Sequence, residues 1–298
     1  MTIQKVCASE LYNIGSMSCK ENNPFLDAVS LIFTQPEFEF ADGAAFAAEA
    51  GYLTGIKAKN VIPLHDIVEI DDNSEDPQYY EAPNGSRIPR RFGKYRHVYK
   101  FNKGLEVHKA LQSYTNAKLK VFIIDDAGNV CGYSPDGTKV TGMDIGMINA
   151  EKMSQAGQDN TPAWTPVAID MKDAKQWNEK GVFVNPTWDA VDLAAVSDVE
   201  VSVVSAIATL IVLRVAYNNG FSADGSDDLV GIAGIVEDDF VFVTTTPTGS
   251  GAMIDNGDGT YDHPGTGMTA GSVDLKSPAT AASTGDPIES TGPAVITI

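Results

Sequence analysis

The chain has 298 residues and a formal net charge of −19, from 21 basic and 40 acidic side chains. That length can bury one large core or two ordinary ones. The acidic net charge argues against a protein that binds nucleic acid through its phosphates, because such binding needs a basic face. It does not exclude a protein past which nucleic acid moves without being bound.

The cysteines and the apolar runs further restrict the class of protein that the chain can belong to. Cys7, Cys19 and Cys131 form no CxxC pair, so neither a disulfide framework nor a zinc site is expected. The longest apolar run, 203–213, is too short to span a bilayer, and the polar N-terminus has no signal-peptide pattern. We expect a soluble protein that has no membrane partner and is assembled in a cytosol.

The first predicted elements are a short helix and a bent pair of strands. The alanine-rich segment 42–50 begins with Asp42, a good N-cap, and we expect the helix to end at Gly51. The apolar residues of 59–70 predict two strands with a bend at Pro63.

A long polar loop is predicted at 71–92, where three prolines and one glycine occur and no periodic pattern of apolar residues is present. Loops of about twenty residues in compact domains usually bind something. This one is acidic at its start and basic at and just past its end, so it could dock head-to-tail onto a copy of itself; the alternative is a solvated excursion. The residues expected at that subunit contact are Asp71, Asp72, Glu75, Asp76, Arg87, Arg90, Arg91, Lys94 and Arg96.

The middle of the chain predicts a sheet with one flanking helix. A strand is expected at 95–101, and Leu105, His108, Leu111 and Gln112 lie at helical spacing. Three strands of a β-meander are expected at 119–124, 130–134 and 138–142, with a Pro135–Asp136–Gly137 turn between the last two. Further strands are expected at 164–171 and 182–184, with a helical turn at 173–177.

The composition changes near 187–195, which predicts a first β domain at 1–188 and a second domain at 189–298. From residue 181 onward there are sixteen acidic residues and only two basic ones, Arg214 and Lys276. Short apolar runs separated by turn formers predict an immunoglobulin-like β-sandwich there. The predicted strands are 199–204, 210–215, 229–236, 240–243, 272–275 and 294–298.

No metal, cofactor or catalytic site is predicted. The segment 255–262 resembles a calcium loop, but glycines occupy the third and fifth ligand positions, so a hairpin turn is favoured. A weak calcium site between loops 224–228 and 237–239 stays an alternative to an ordinary acidic surface. The four histidines lack metal-ligand spacing, and no catalytic motif is present, so we expect no enzyme. The three tryptophans are expected in the core or at the domain junction.

Several segments together resemble virion structural proteins of tailed bacteriophages, most of all tail tube subunits. They are PLHDIVEIDDNSEDPQYYEAPNGSR with the basic strand and helix after it, VFIIDDAGNVCGYSPDGTKVTGMDIGMINAEKM, and TPVAIDMKD. The C-terminal part, with NGDGTYD, resembles immunoglobulin-like domains appended to such subunits. The resemblance implies that residues 1–188 are a tube-like β domain whose copies stack as rings inside a virion and contact other virion proteins. Strands from neighbouring copies would complete an inner barrel, and loops would bridge successive rings.

Two other functions stay open at this point. The chain could be another virion component, such as a capsid, head–tail or decoration protein. It could also be a binding module that recognises glycans or a cell surface through the acidic loops of its C-terminal domain.

Overall fold

The computed structural model describes residues 4–5, 24–91, 93–153, 164–173, 175–217, 231–243, 252–276, 279–280 and 287–298. The protein is mainly β, as the sequence predicts. It divides into two compact units after Leu193, and residues 56–58 group with the second unit. No described helix is long and apolar enough to cross a membrane.

The first unit contains twelve described strands and four described helices. The strands are β1 (Gln4–Lys5), β2 (Ala28–Thr34), β3 (Val61–His65), β4 (Ile67–Asp72), β5 (Gln78–Glu81), β6 (Arg87–Arg91), β7 (Arg96–Phe101), β8 (Lys120–Asp125), β9 (Val130–Tyr133), β10 (Met143–Ala150), β11 (Thr165–Met171) and β12 (Gly181–Val184). The helices are α1 (Gly43–Ala47), α2 (Glu49–Lys57), α3 (Leu105–Ser113) and α4 (Lys175–Lys180).

Strand β8 is the branch point of the main antiparallel sheet. Its whole length pairs with β2 on one side. On the other side its first residues pair with β10 and its later residues with β9. One branch continues from β9 to β12 and β1, and the other from β10 to β11, β7 and β4. The chain passes directly from β3 to β4 through Asp66, which has a φ of 70°, and the fold includes a half-barrel.

The apolar pattern of β8 explains why this strand lies at the centre. Its residues from Val121 to Asp125 are all buried. Val121 and Ile123 belong to the core inside the half-barrel. Successive side chains of a strand point to opposite faces, and Phe122 accordingly packs against the rings of Phe40, Phe46 and Tyr52, which lie on and before the α1–α2 helices. Both faces of β8 are therefore covered.

Most predicted elements of the first unit are present, and two expected boundaries are wrong. Asp42 caps α1 by accepting a hydrogen bond from the Ala45 N–H, but Gly51 lies inside α2 and does not end a helix. A Cβ at Gly51 would lie 2.9 Å from the Phe40 ring, so the glycine allows close packing there. Pro63 pairs with Ile32 within β3, and the bend occurs at Asp66 instead.

The third strand of the predicted meander is also wrong. Residues 138–142 make only isolated bridges, Val140 to Phe40 and Thr141 to Tyr133. The preceding turn is as expected, since the Asp136 carboxylate accepts from the N–H groups of Thr138 and Lys139 and Gly137 has a φ of 83°. The strand that continues the sheet is β10, which pairs with the start of β8 after the chain has left β9.

The second unit consists of two sheets around one core. Its strands are β13 (Ser197–Ile207), β14 (Leu210–Tyr217), β15 (Phe240–Val243), β16 (Ile254–Asp255), β17 (Thr260–Pro264), β18 (Gly271–Leu275), β19 (Ala279–Thr280), β20 (Pro287–Ser290) and β21 (Ala294–Ile296). The sheet orders are β16-β17-β14-β13-β20-β19 and β15-β18-β21. Strands of both sheets contribute to one buried cluster, which includes Val201, Leu213, Phe240, Tyr261 and Val273.

The second unit differs from the expected strand pattern at several places. In the predicted strand 229–236, residues 231–236 form no strand, Gly231 makes only an isolated bridge, and 229–230 lie outside the described residues. Strands β16, β17, β19 and β20 were not expected, and β20 runs parallel to β13. The two-sheet architecture agrees with a mainly β domain, while an immunoglobulin-like topology stays a prediction.

Candidate assembly interface

Residues 73–96 form a two-stranded ribbon in place of the predicted irregular loop. The ribbon continues the β4–β7 pair: the Asn73 N–H donates to the Arg96 carbonyl at 2.9 Å. Glu75 and Lys94 then exchange two backbone hydrogen bonds of 2.9 and 3.2 Å. Strands β5 and β6 form the distal part. The loop prediction was therefore wrong in conformation, although the segment does extend from the sheet.

Strand β11 accompanies β7 only as far as the base of the ribbon. Asp170 pairs with Arg96, and the Met171 N–H donates to the Tyr95 carbonyl at 2.9 Å. Among the described residues, no further strand pairs with β5 or β6 beyond that point. At about 3.3 Å per residue, the eight steps from Asn73 to Glu81 extend the ribbon by about 26 Å.

A tight turn closes the tip of the ribbon. The Asn84 side chain accepts hydrogen bonds from the N–H and the hydroxyl of Ser86, and Gly85 has a φ of 79°. The Ala82 N–H donates to the Ser86 carbonyl at 2.9 Å. Asn-Gly is a strong hairpin signal because both residues tolerate left-handed backbone conformations. The tip is thus determined by local sequence.

Gly93 permits the close approach of the two strands near the base. A Cβ at this position would lie 2.5 Å from the Glu75 carbonyl oxygen and 3.3 Å from the Pro77 side chain. Because Glu75 is the residue that pairs with Lys94, any larger side chain at Gly93 would push apart the bridge that joins the ribbon to the sheet.

The ribbon exposes large apolar side chains on both faces. Tyr79, Tyr80 and Ile88 are 57%, 55% and 52% exposed. Tyr80 lies opposite Ile88, whereas Tyr79 lies opposite Pro89 and points to the other face. Isolated two-stranded hairpins are marginally stable in water, and clusters of exposed apolar residues mark interaction sites. The exposed apolar side chains therefore make the ribbon a candidate interface.

Three of the predicted contact residues lie at the base of the ribbon, and two of them, Arg96 and Asp71, form ion pairs there. Arg96 makes a bidentate pair with Asp170, with distances of 2.6 and 2.7 Å, and this carboxylate raises the pKa of Arg96. Asp71 lies 2.9 Å from the Lys100 ammonium group and raises the pKa of Lys100 by its hydrogen bond. These pairs hold the base of the ribbon to its own sheet.

Asp72, the third of these residues, lies beside a buried histidine. Its carboxylate accepts from the Ser74 N–H, and hydrogen bonds from Ser74 lower the pKa of Asp72. Its Oδ1 is 3.5 Å from Nε2 of His97, whose ring stacks on Phe25. Burial lowers the pKa of His97, and the Asp72 charge acts in the opposite direction.

The other predicted contact residues lie along the ribbon itself. Asp76, Arg87, Arg90 and Lys94 are exposed, and Glu75 is half-buried. The side chain of Arg91 lies outside the described residues. The predicted set is therefore divided: Asp71, Asp72 and Arg96 stabilise the base, and Asp76, Arg87, Arg90 and Lys94 lie exposed on the ribbon.

Sequence reasoning missed the apolar part of this surface. Tyr79, Tyr80 and Ile88 were not predicted as contact residues, although a signal was present. Two short segments with aromatic or β-branched residues flank an Asn-Gly turn, which is the pattern of a hairpin. The prolines at 77, 83 and 89 obscured that pattern by suggesting irregular structure.

The remaining candidate sites have structural roles where they are described. The 255–262 segment is the hairpin turn between β16 and β17, with Gly257 and Gly259 at φ values of 81° and 88°. Trp188 donates its indole N–H to the Ala47 carbonyl and packs on Tyr52. No group of three metal-ligating side chains occurs among the described residues. The acidic residues 224–228 lie outside them.

No protein-family model matches the chain, and no curated protein matches it at a significant level.

Proposed function

We propose that this protein is a structural subunit that assembles with copies of itself through the ribbon, in the manner of a phage tail tube subunit. The observation that carries this proposal is the ribbon with exposed Tyr79, Tyr80 and Ile88. Two strands with apolar side chains on both faces leave much apolar surface in water unless a partner covers them. A second copy is the partner that requires no other molecule.

The charge of the chain fits a conduit for DNA. Each subunit carries −19, and a ring multiplies that charge around its axis. Phosphates passing such a wall meet repulsion and release few counterions, so the DNA is not held. In this role the protein needs no catalytic group and no cofactor, and its place is the virion after assembly in the host cytoplasm.

The tail position is the finer part of the proposal, and it rests on the resemblance to tail tube subunits. A capsid, head–tail or decoration protein could use the same ribbon to contact its neighbours. Labelling the second unit in intact particles and locating the label by electron microscopy separates these positions. Label along the whole tail supports the tube, and label on the head or at the neck contradicts it.

Negative-stain electron microscopy of the purified full chain tests the assembly. We expect rings or tubes from the native protein and none from a Tyr80→Ser, Ile88→Ser variant, because this pair forms one apolar face of the ribbon. Val204 and Ile207 of β13 are equally exposed, at 59% and 57%. A Val204→Ser, Ile207→Ser variant is therefore the matched control and should assemble. A native protein that stays monomeric at high concentration would overturn the proposal.

A further inference from the structure

The charges of the ribbon and the β4–β7 pair beneath it are completely segregated by strand. Residues 66–81, here the acidic strand, contain seven acidic residues and no Lys or Arg. Residues 82–101, here the basic strand, contain six basic residues and no Asp or Glu. The two strands pair with each other, as Glu81 does with Arg87. One edge of the ribbon is therefore acidic and the opposite edge is basic.

Both edges offer backbone groups for a partner in the distal part. From Tyr95 towards the tip of the ribbon, β11 no longer pairs with the basic strand. Among the described residues, the acidic strand pairs only with the basic strand along β4 and β5. The distal charges Asp76, Glu81, Arg87, Arg90 and Lys94 are all exposed. A neighbouring strand at either edge would thus meet backbone groups that no further described strand pairs with, and exposed charges of a single sign.

From this segregation we infer that ribbons of neighbouring copies associate head-to-tail, with the acidic strand of one beside the basic strand of the next. This inference rests on the proposed function, since it specifies the geometry of the same assembly. A two-fold dimer that joins like edges would place acidic against acidic or basic against basic, and like charges directly opposite are destabilising. A head-to-tail contact places opposite charges together at every interface.

The polarity has a consequence for the form of the assembly. A two-fold contact uses the same surface on both partners and stops at a dimer, whereas a head-to-tail contact leaves one edge free at each end. It continues until the ring closes. The acidic and basic edges therefore both attract the right neighbour and reject the two-fold alternative, which is how charge usually supplies specificity.

Two complementary charge-reversal variants of the full chain test this inference. The first, Asp76→Lys with Glu81→Lys, makes both distal strands basic. The second, Arg87→Glu with Arg90→Glu, makes the tip of the ribbon between residues 78 and 90 acidic on both strands. We expect each variant alone to need a roughly tenfold or higher concentration to assemble, because each reversal replaces attraction by repulsion of similar size. An equal mixture should assemble at close to the native concentration, since every contact then joins opposite charges.

Matched controls carry the same changes of charge outside the ribbon. Asp198→Lys with Glu200→Lys on β13 matches the first variant, and Lys109→Glu with Lys118→Glu on and after α3 matches the second; all four side chains are exposed. Both controls should assemble like the native protein. A chain with all four ribbon changes has its polarity reversed between residues 78 and 90 and keeps opposite charges at the paired positions 81 and 87. It should assemble alone, even if a single-strand variant folds poorly.

The outcomes separate this inference from the proposed function. A native protein that never assembles contradicts the function itself. A native protein that assembles, with either single-strand variant assembling equally well, overturns only the head-to-tail inference. Failure of both the mixture and the four-change chain to assemble overturns it as well.

Discussion

Replacing Gly93 by alanine should loosen the ribbon from the body of the first unit without unfolding that unit. The added Cβ would lie 2.5 Å from the Glu75 carbonyl oxygen. That oxygen accepts from the Lys94 N–H, and the Glu75 N–H donates to the Lys94 carbonyl. Separating the strands breaks both bonds, each with a net value of about 1 kcal/mol. A loss of about 2 kcal/mol raises the open population of the ribbon about thirtyfold.

Hydrogen exchange of the backbone amides measures this opening directly. The Glu75 and Lys94 amides of the Gly93→Ala variant should exchange about thirtyfold faster than in the native protein, while amides of β8 keep their protection. Gly104→Ala is the control, because nothing lies within 4 Å of a Cβ at that position and its φ of −74° suits alanine. Native exchange rates at Glu75 and Lys94 in the Gly93→Ala variant would refute this account of the ribbon base.

Three further predictions concern stability. Phe122→Ala should cost about 3–5 kcal/mol in denaturant unfolding, since this ring is fully buried among three others; an unchanged midpoint would contradict its place in the aromatic layer. Tyr261→Phe should cost about 1–3 kcal/mol, because the hydroxyl donates to the Ile232 carbonyl and accepts from the Ile235 N–H inside the second unit. Burial lowers the pKa of His97 in the folded state, so the unfolded state binds more protons below about pH 6.5. Stability should therefore fall as the pH drops from 7 towards 5, and a His97→Phe variant should lose less over that range.

The strands of the first unit were largely predictable from the sequence. The apolar runs that became β8, β11 and β12 are too short for helices and rich in β-branched or aromatic residues. The Asp42 cap and the Asp136 turn were also predictable, because a carboxylate that accepts from nearby N–H groups acts over a few residues. Such features need no knowledge of the rest of the chain.

The second unit was less predictable. Its short strands alternate weakly, and the Gly-rich segment before β17 conceals a strand that pairs with β14. Strand β20 begins at Pro287, a residue that is tolerated at the start of a strand but disfavoured within one, and it lies between β13 and β19 in the sheet. These pairings are long-range, and no local pattern identifies the partner.

The candidate interface was also predictable only in part. Its charged residues were predicted from the two-signed segment, but the apolar residues Tyr79, Tyr80 and Ile88 were not, because no irregular loop would present them together. Pairing in a ribbon places Tyr80 opposite Ile88 and turns Tyr79 to the other face. The ion pairs at the base, such as Arg96 with Asp170, likewise join residues far apart in sequence.

The sequence by itself determined the class of structure, the surface charge and the local turns. These depend on residue composition and on contacts across a few residues. Only the tertiary structure decided where the chain bends at Asp66, how β8 divides between β9 and β10, and that residues 73–96 pair as a ribbon. Each of those depends on which backbone N–H and carbonyl groups find partners elsewhere in the chain. Burial imposes that requirement on the whole fold at once.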